Sequence, residues 1–312
     1  MKKFKYSFEV PKEKQVRMIV HTDAKNEADD QFAIAHHLMT PKFIVEGLIG
    51  AHFDINPQSY GKGNTAKAST EEIYKILDLM GLTGEYPVTT GAPCALPDEH
   101  TPIDSEGARF IIETAMKEDD RPLYIALQGC LTDLASAILM EPAICDRMTA
   151  IWIGGGIYPK GGFEFNLMND IAAANVLFKS AMPVWQIPMN VYKQMSVSLA
   201  ELEYQVAPHG RIGDYLFRQM VDFNMRTAHV SHWPHGEIWG LGDSPTIGVL
   251  LAEQEKTDMY DIVQAPTVNY EDMTYSYDIP NRPIRVYKDA NARLTLADFY
   301  AKLALNFPRQ DS

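Results

Sequence analysis

Residues 17–39 read RMIVHTDAKNEADDQFAIAHHLM. The apolar run Val16 to Val20 has the length and β-branched content of a buried strand, and Asp29 to Met39 carries apolar residues at helical spacing. The stretch is therefore one strand-loop-helix step. Its loop is unusual: Asp23, Glu27, Asp29 and Asp30 crowd four carboxylates into eight positions. In open α/β sheets, ligands bind in the loops that leave the carboxyl ends of the strands, and this loop is one of those.

The same step recurs along the chain. Arg17–Val20, Phe43–Gly50, Leu123–Leu127, Ala150–Gly154 and Val184–Pro188 read as strands. Asp29–Met39, Ser69–Met80, Ser105–Lys117, Thr132–Met140 and Ile171–Ser180 read as helices between them. This alternation predicts an α/β fold with a central, mostly parallel sheet flanked by helices. Farther on, Arg211–Thr227 reads as a helix, and Ser244–Glu253 as another with Pro245 in its first turn. Val268–Val286 has strand and turn character, and Lys302–Phe307 closes a last helix. With no repeat, low-complexity segment or flexible linker, the expectation is one domain over residues 1–312, with helical and strand-rich insertions in its C-terminal half.

Composition narrows the function classes. The chain has 312 residues, 46% of them hydrophobic, enough to bury a substantial core. Its 28 Lys and Arg against 41 Asp and Glu give a net charge of -13, which argues against a nucleic-acid partner. Met1 to Lys14 starts basic but has no apolar segment behind it, so neither a signal peptide nor a membrane anchor is expected. Cys94, Cys130 and Cys145 are scattered and odd in number, which suits reduced thiols in a cytoplasm, all three read as packing residues.

The acidic loop admits two readings. Asp29 or Asp30 can simply cap the following helix, since exposed amides and the helix dipole favour carboxylates there. Four carboxylates on one tight loop repel one another, however, unless a cation or donated hydrogen bonds offset the charge. An oxygen-only donor set without clustered His or Cys suits calcium or magnesium, and the spacing is not that of an EF-hand. Asp243, in Trp239-Gly240-Leu241-Gly242-Asp243-Ser244-Pro245, is a second carboxylate beside a helix start, open to the same two readings. A metal-dependent phosphohydrolase would also use Asp-rich strand ends, but the chain shows no Gly-rich phosphate cradle with its Lys.

Taken in order, these segments resemble the inosine-uridine type nucleoside hydrolases, from about Arg17 to Val286. The stretch from His21 to Asp30 is similar to the family's DTDxGxDD signature, two residues longer between the first Asp and the Asp pair, a form similar to that of a divergent branch. Leu127 to Ala135 resembles the family's GPLTNLA step, Ile151–Gly156 its GG strand end, Glu164-Phe165-Asn166 its EFN segment, and Asn169 to Ala174 its DPEAA helix.

The resemblance implies a calcium-dependent nucleoside N-ribohydrolase, which releases ribose and a free base from a nucleoside or related riboside. Asp23 would be a calcium ligand and the general base; Asp30, the main-chain carbonyl of Gln128 and Asp243 would complete the protein ligands. Asp29, Glu164 and Asn166 would contact the sugar hydroxyls. It also implies a homo-oligomer, a dimer or tetramer. Three departures stand out. Gly242 replaces the His that many members carry before the late Asp, so the proton donor to the leaving base is open. Ala51-His52 stands where Gly-Asn is common, which makes His52 either a sugar contact or a loop cap. Asn26 and Glu27 are inserted, with Glu27 a secondary ligand candidate.

Other candidates carry less. Trp233 or Trp239 could stack on a base, with His229, His232 or His235 donating a hydrogen bond; Pro234 argues against a regular helix and a zinc site there. For any single one of them, a partly buried aromatic loop is the favoured account. His36, His37 and Asn190 read as structural. The rival from another class is a ribose- or nucleoside-binding protein that keeps the metal site with little turnover.

Overall fold

The computed structural model describes residues 4–230, 233–234, 236–253 and 258–309. Its strands are β1 (Val16–Thr22), β2 (Phe43–Gly50), β3 (Val88–Thr90), β4 (Leu123–Gln128), β5 (Met148–Ile153), β6 (Val184–Ile187), β7 (Ser196–Ser198), β8 (Ile238–Gly240), β9 (Tyr260–Gln264), β10 (Thr267–Val268), β11 (Tyr275–Ser276) and β12 (Pro283–Tyr287). The helices are α1 (Asp30–Met39), α2 (Thr65–Met80), α3 (Glu106–Ala115), α4 (Thr132–Met140), α5 (Phe165–Asn169), α6 (Ile171–Lys179), α7 (Met189–Tyr192), α8 (Leu199–Gln205), α9 (Gly210–Thr227), α10 (Pro245–Leu251) and α11 (Ala292–Asn306).

Eight strands form one sheet in the order β3-β2-β1-β4-β5-β6-β12-β9. Every pairing is parallel except that of β12 with β9 at one edge. The central strands are apolar because both sheet faces are covered. All seven residues of β1 are buried, and they alternate: Met18 and Val20 join the core that contains α1, α10 and α11 side chains, while Ile19 joins the core of α3, α4 and α6.

The chain runs outward from β1 through β2 to β3, then returns to β4 on the other side of β1. The carboxyl ends of β1 and β4 therefore flank the point where strand order reverses, where open α/β sheets form their ligand crevice. Thr22 is in register with Gln128 there, which sets the acidic loop beside the Gly129–Thr132 turn. The fold class read from the sequence is the one observed.

Several elements differ in extent or were absent from the sequence reading. Helix α2 starts at Thr65 rather than Ser69, and β3, β9 and the paired strands β7 and β8 were not foreseen. Cys130 and Cys145 are buried as packing residues, but Cys94 is exposed, since it lies in a loop with no helix or sheet face to cover it; all three are free thiols. Among the described residues, no helix is long and apolar enough to cross a membrane.

Candidate metal and sugar site

The acidic loop is held by its backbone. Three glutamine amides, one from the start of α1 and two from distant segments, cap its carbonyls: Gln31 Nε2 donates to Ala24 O at 2.6 Å, Gln58 Nε2 to Asn26 O at 2.8 Å, and Gln219 Nε2 to Ala28 O at 2.6 Å. The carboxylates thus project from a fixed frame.

Asp29 occupies the N-cap position of α1, yet its side chain makes no capping hydrogen bond. Its carboxyl accepts instead from its own amide and from those of Gly242, Asp243 and Asp30. Asp243 is likewise not the cap of α10, a position held by Ser244. Asp30 accepts a short hydrogen bond from the Thr22 hydroxyl. The simple capping role therefore accounts for none of these carboxylates. Ligand atoms of Asp29, Asp30 and Asp243 all lie within 4.8 Å of one another, and the three side chains are buried.

Asp23 stands beside this trio rather than within it. A Cβ on Gly129 would lie 3.0 Å from Asp23 Cγ, so the turn after β4 needs a glycine for its backbone to approach the carboxylate. Asp23 Oδ2 is buried without a hydrogen-bond partner. A buried carboxylate oxygen left unpaired is costly, and a cation is the partner that would remove the cost.

The proton affinities follow from this crowding. Burial first, then the charges of Asp30, Glu27 and Asp29, raise the Asp23 pKa well above the usual carboxylate range. Asp243 is raised by burial and by Asp29, Asp30 and Asp23, and Asp30 by burial and Asp29, the Thr22 hydroxyl opposing. Asp29 reaches only about 6, because amide hydrogen bonds offset its burial. Half-buried Glu27, at the mouth, is pushed to about 8 by burial and by Asp29, Asp30 and Glu164. An all-oxygen donor set of this kind fits a hard cation.

A further layer supports the site. Thr246 Oγ1 donates to Asp243 O at 2.8 Å and receives Gln128 Nε2 at 3.0 Å and His37 Nε2 at 3.1 Å. It ties α10, β4 and α1 together directly behind the carboxylates. Nothing in the sequence pointed to Thr246; its role depends on a partner set assembled from three distant segments.

Glu164 and Asn166 begin α5. Glu164 is the cap of that helix, with Oε1 accepting from Asn166 N at 3.1 Å and the Tyr192 hydroxyl at 3.0 Å, and Oε2 from Gly155 N at 2.8 Å and Leu167 N at 2.9 Å. Asn166 Nδ2 donates to Ile153 O at 2.9 Å. Tyr192, which sequence reasoning passed over, also closes the space at Gly242. A Cβ there would meet Tyr192 Cδ2 at 3.2 Å and Asp29 Oδ2 at 3.4 Å.

Other candidates are engaged by partners of their own. His52 is fully buried: Asp54 N approaches its Nδ1 at 3.4 Å and Nε2 meets Thr132 Oγ1 at 2.7 Å, which makes Nε2 the donor. Burial lowers its pKa to about 4, so the ring is neutral. Trp239, 3% exposed, packs edge-on against Phe223 at 5.3 Å and Trp233 at 5.7 Å, within the core rather than facing an open cleft. His229 is exposed; His232 and His235 lie outside the described residues. His36 and His37 are buried, and Asn190 Oδ1 accepts from Tyr158 N at 3.1 Å, a loop contact.

Comparison with known proteins bears on this geometry. The family model described as inosine-uridine preferring nucleoside hydrolase matches residues 18–293. The pyrimidine-specific ribonucleoside hydrolase RihB of Shigella flexneri serotype 5b is 25% identical over 186 residues, covering 57% of this chain and 53% of that protein. The chain thus spans about half the length of the curated relatives it matches. Among solved structures, the plant nucleoside hydrolase PpNRh1 is similar with a TM-score of 0.73 at 17% identity, covering 92% of this chain and 98% of that one. The purine-preferring ribonucleoside hydrolase from Gardnerella vaginalis gives 0.71 at 19% identity, with the same coverage.

Proposed function

This chain belongs to the inosine-uridine preferring nucleoside hydrolase family, and we propose that it hydrolyses the N-glycosidic bond of a ribonucleoside to ribose and free base. The observation that carries the reading is the convergence of Asp29, Asp30 and Asp243 within 4.8 Å at the strand-order reversal, beside the unpartnered Asp23 Oδ2.

Asp23, Asp30, Asp243 and the carbonyl of Gln128 would hold calcium; the donors are all oxygen, as a hard cation prefers. When bound, the cation supplies Lewis acidity, orienting water and easing its deprotonation. Asp23, buried and with a free oxygen, takes the proton of the attacking water. Asp29 and Asn166 hydrogen-bond the ribose hydroxyls, and Glu164 Oε1 takes a sugar hydroxyl in place of the Tyr192 hydroxyl it now accepts. The negative cluster stabilises the positive charge that develops on the sugar as the bond to the base lengthens. The names of the relatives carry opposite base preferences, pyrimidine and purine, so neither transfers. The proposal includes a cytoplasmic homo-oligomer, a dimer or tetramer, formed by one domain that acts on a small riboside, with no nucleic acid or membrane as partner.

The test is a panel of purine and pyrimidine ribonucleosides incubated with protein and calcium, with free base and reducing sugar followed. Turnover abolished by chelation and by Asp23→Ala supports the hydrolase. Tight binding of nucleosides with no sugar released would instead make the chain a binding protein.

A further inference from the structure

Beside the carboxylate cluster lies a second cavity of about 240 Å³. The acidic loop contributes Lys25 and Glu27 to its wall, α2 contributes Lys75, and α9 contributes Asp222 and Arg226. Glu27 belongs to both places. It lines the cavity, and its carboxyl feels the charges of Asp29, Asp30 and Glu164 in the cluster. A ligand held at the cluster therefore borders this space.

The wall is a fixed structure. Behind it Glu72, 4% exposed, takes Lys25 Nζ at 2.9 Å, Gln31 Nε2 at 3.2 Å and the Tyr215 hydroxyl. Gln58 and Gln219, which also line the cavity, spend their amide nitrogens on the loop carbonyls, so the loop is clamped where it forms the wall.

Charge decides what fits. In a chain of net charge -13, this cavity gathers three cations against Glu27 and Asp222. Lys25 is neutralised by Glu72. Lys75 has the Tyr215 ring 3.9 Å from its Nζ, and Arg226 the Phe223 ring at 5.3 Å. Among the described residues, neither makes an ion pair with a carboxylate, although Asp222 lies one turn from Arg226 on the same helix. An uncharged ligand filling the cavity would strip water from both cations and return nothing; an anionic group returns a partner.

Resting on the hydrolase reading above, we propose that this cavity is a substrate subsite for an anionic group of the riboside, either a carboxylate on the leaving heterocycle or a phosphate on the sugar. Glu27 and the clamped loop form the partition between that group and the carboxylates that hold the ribose. The inserted residues Asn26 and Glu27 are thereby part of a specificity wall.

Three probes test it on the intact protein with saturating calcium: a carboxylated pyrimidine riboside, its uncharged parent, and the parent's 5′-monophosphate. The expected result is a kcat/KM for one anionic probe roughly tenfold above the parent, as two exposed cations together would give. The Lys75→Met/Arg226→Met double variant brings that ratio close to one, and so does high salt. The preferred anionic probe identifies the source of the charge. A ratio at or below one for both anionic probes, or a ratio unmoved in the double variant, overturns the subsite. If no probe is cleaved, the hydrolase reading fails separately, and calorimetric titration with the same three compounds reads the cavity. Tighter binding of an anionic probe that is lost in the double variant then supports the subsite, and equal affinities overturn it.

Discussion

Replacing Asp243 with asparagine tests whether the cluster is built for a cation. Ligand atoms of Asp29, Asp30 and Asp243 lie within 4.8 Å of one another. At an effective dielectric constant of 20, each pair of like charges at that distance repels by about 3.5 kcal/mol. Three pairs sum to about 10 kcal/mol, comparable to the whole stability of a protein. Without a cation the cluster must therefore take up protons; burial raises the pKa values of all three, with the charge of Asp29 adding to it at Asp30 and those of Asp29 and Asp30 at Asp243. Forcing a carboxyl of ordinary pKa to carry a proton at pH 7.5 costs at most about 5 kcal/mol. The Asp243→Asn change removes one such burden and sacrifices the interaction of a carboxylate with the start of α10, worth about 0.3–1 kcal/mol. The net expectation is a gain of about 2–4 kcal/mol in chelator, or a melting temperature about 3–6 °C above the wild type. The sign with pH follows from the raised values. Their contribution is fully present below the unfolded pKa and is lost as pH rises through the folded one, about 6 for Asp29. The advantage of the variant thus shrinks on acidification. Calcium at a hundred times its dissociation constant should stabilise the wild type by about 2.7 kcal/mol and the variant hardly at all. Scanning calorimetry in chelator and in calcium reads both effects. A variant that melts below the wild type in chelator and still gains from calcium would refute the reasoning.

Two other substitutions probe the surroundings. His52→Gln keeps a donor for Thr132 and an acceptor for Asp54 N while removing a buried base whose pKa is lowered to about 4. A lowered folded value means stability is lost as pH falls from about 6.5 to 4, so urea titrations should show the wild type losing up to about 3 kcal/mol more than the variant over that window. Equal losses would mean that the ring titrates normally. Thr246→Val preserves shape but strands the Gln128 and His37 donors. It should cost about 1–3 kcal/mol of stability and weaken calcium binding by about tenfold or more, measured by calorimetric titration; unchanged calcium affinity would show that this layer does not orient the ligands.

The central sheet was readable because a strand covered on both faces is mostly apolar, and β1, β2, β4, β5 and β6 are such runs, their few polar residues aside. The elements that escaped notice lack that signal. Strand β3 is three half-buried residues, and β9 is an edge whose Asp261 and Ile262 are exposed, so neither shows a pattern that burial would impose. Helix α5 is five residues long, too short for helical periodicity, and is defined by the Glu164 cap. The same tertiary dependence limits the site. Asp23, Asp29 and Asp30 stand out as one charge cluster on one loop, whereas Tyr192, Glu72 and Thr246 carry no distinctive neighbours in sequence. Their roles exist only once α7, α2 and α10 are folded beside the acidic loop and the central sheet.

The inserted residues of the acidic loop, Asn26 and Glu27, are held in place by contacts from outside the motif. Two extra residues in a loop would ordinarily add freedom, and freedom at a metal site weakens it by raising the entropy lost on binding. Here the amides of Gln31, Gln58 and Gln219 fix the carbonyls of Ala24, Asn26 and Ala28, and Lys25 is anchored on buried Glu72. The insertion is thus tied down at its backbone on both sides of Glu27. A clamped insertion is a poor closing lid, so any effect it has on substrate choice comes from the wall it presents, where Lys25 and Glu27 line one cavity with Lys75 and Arg226. Selectivity built this way is set by charge already in place before the substrate arrives, and it should appear in KM more than in kcat, because the cations meet the substrate as fully in the ground state as at the transition state.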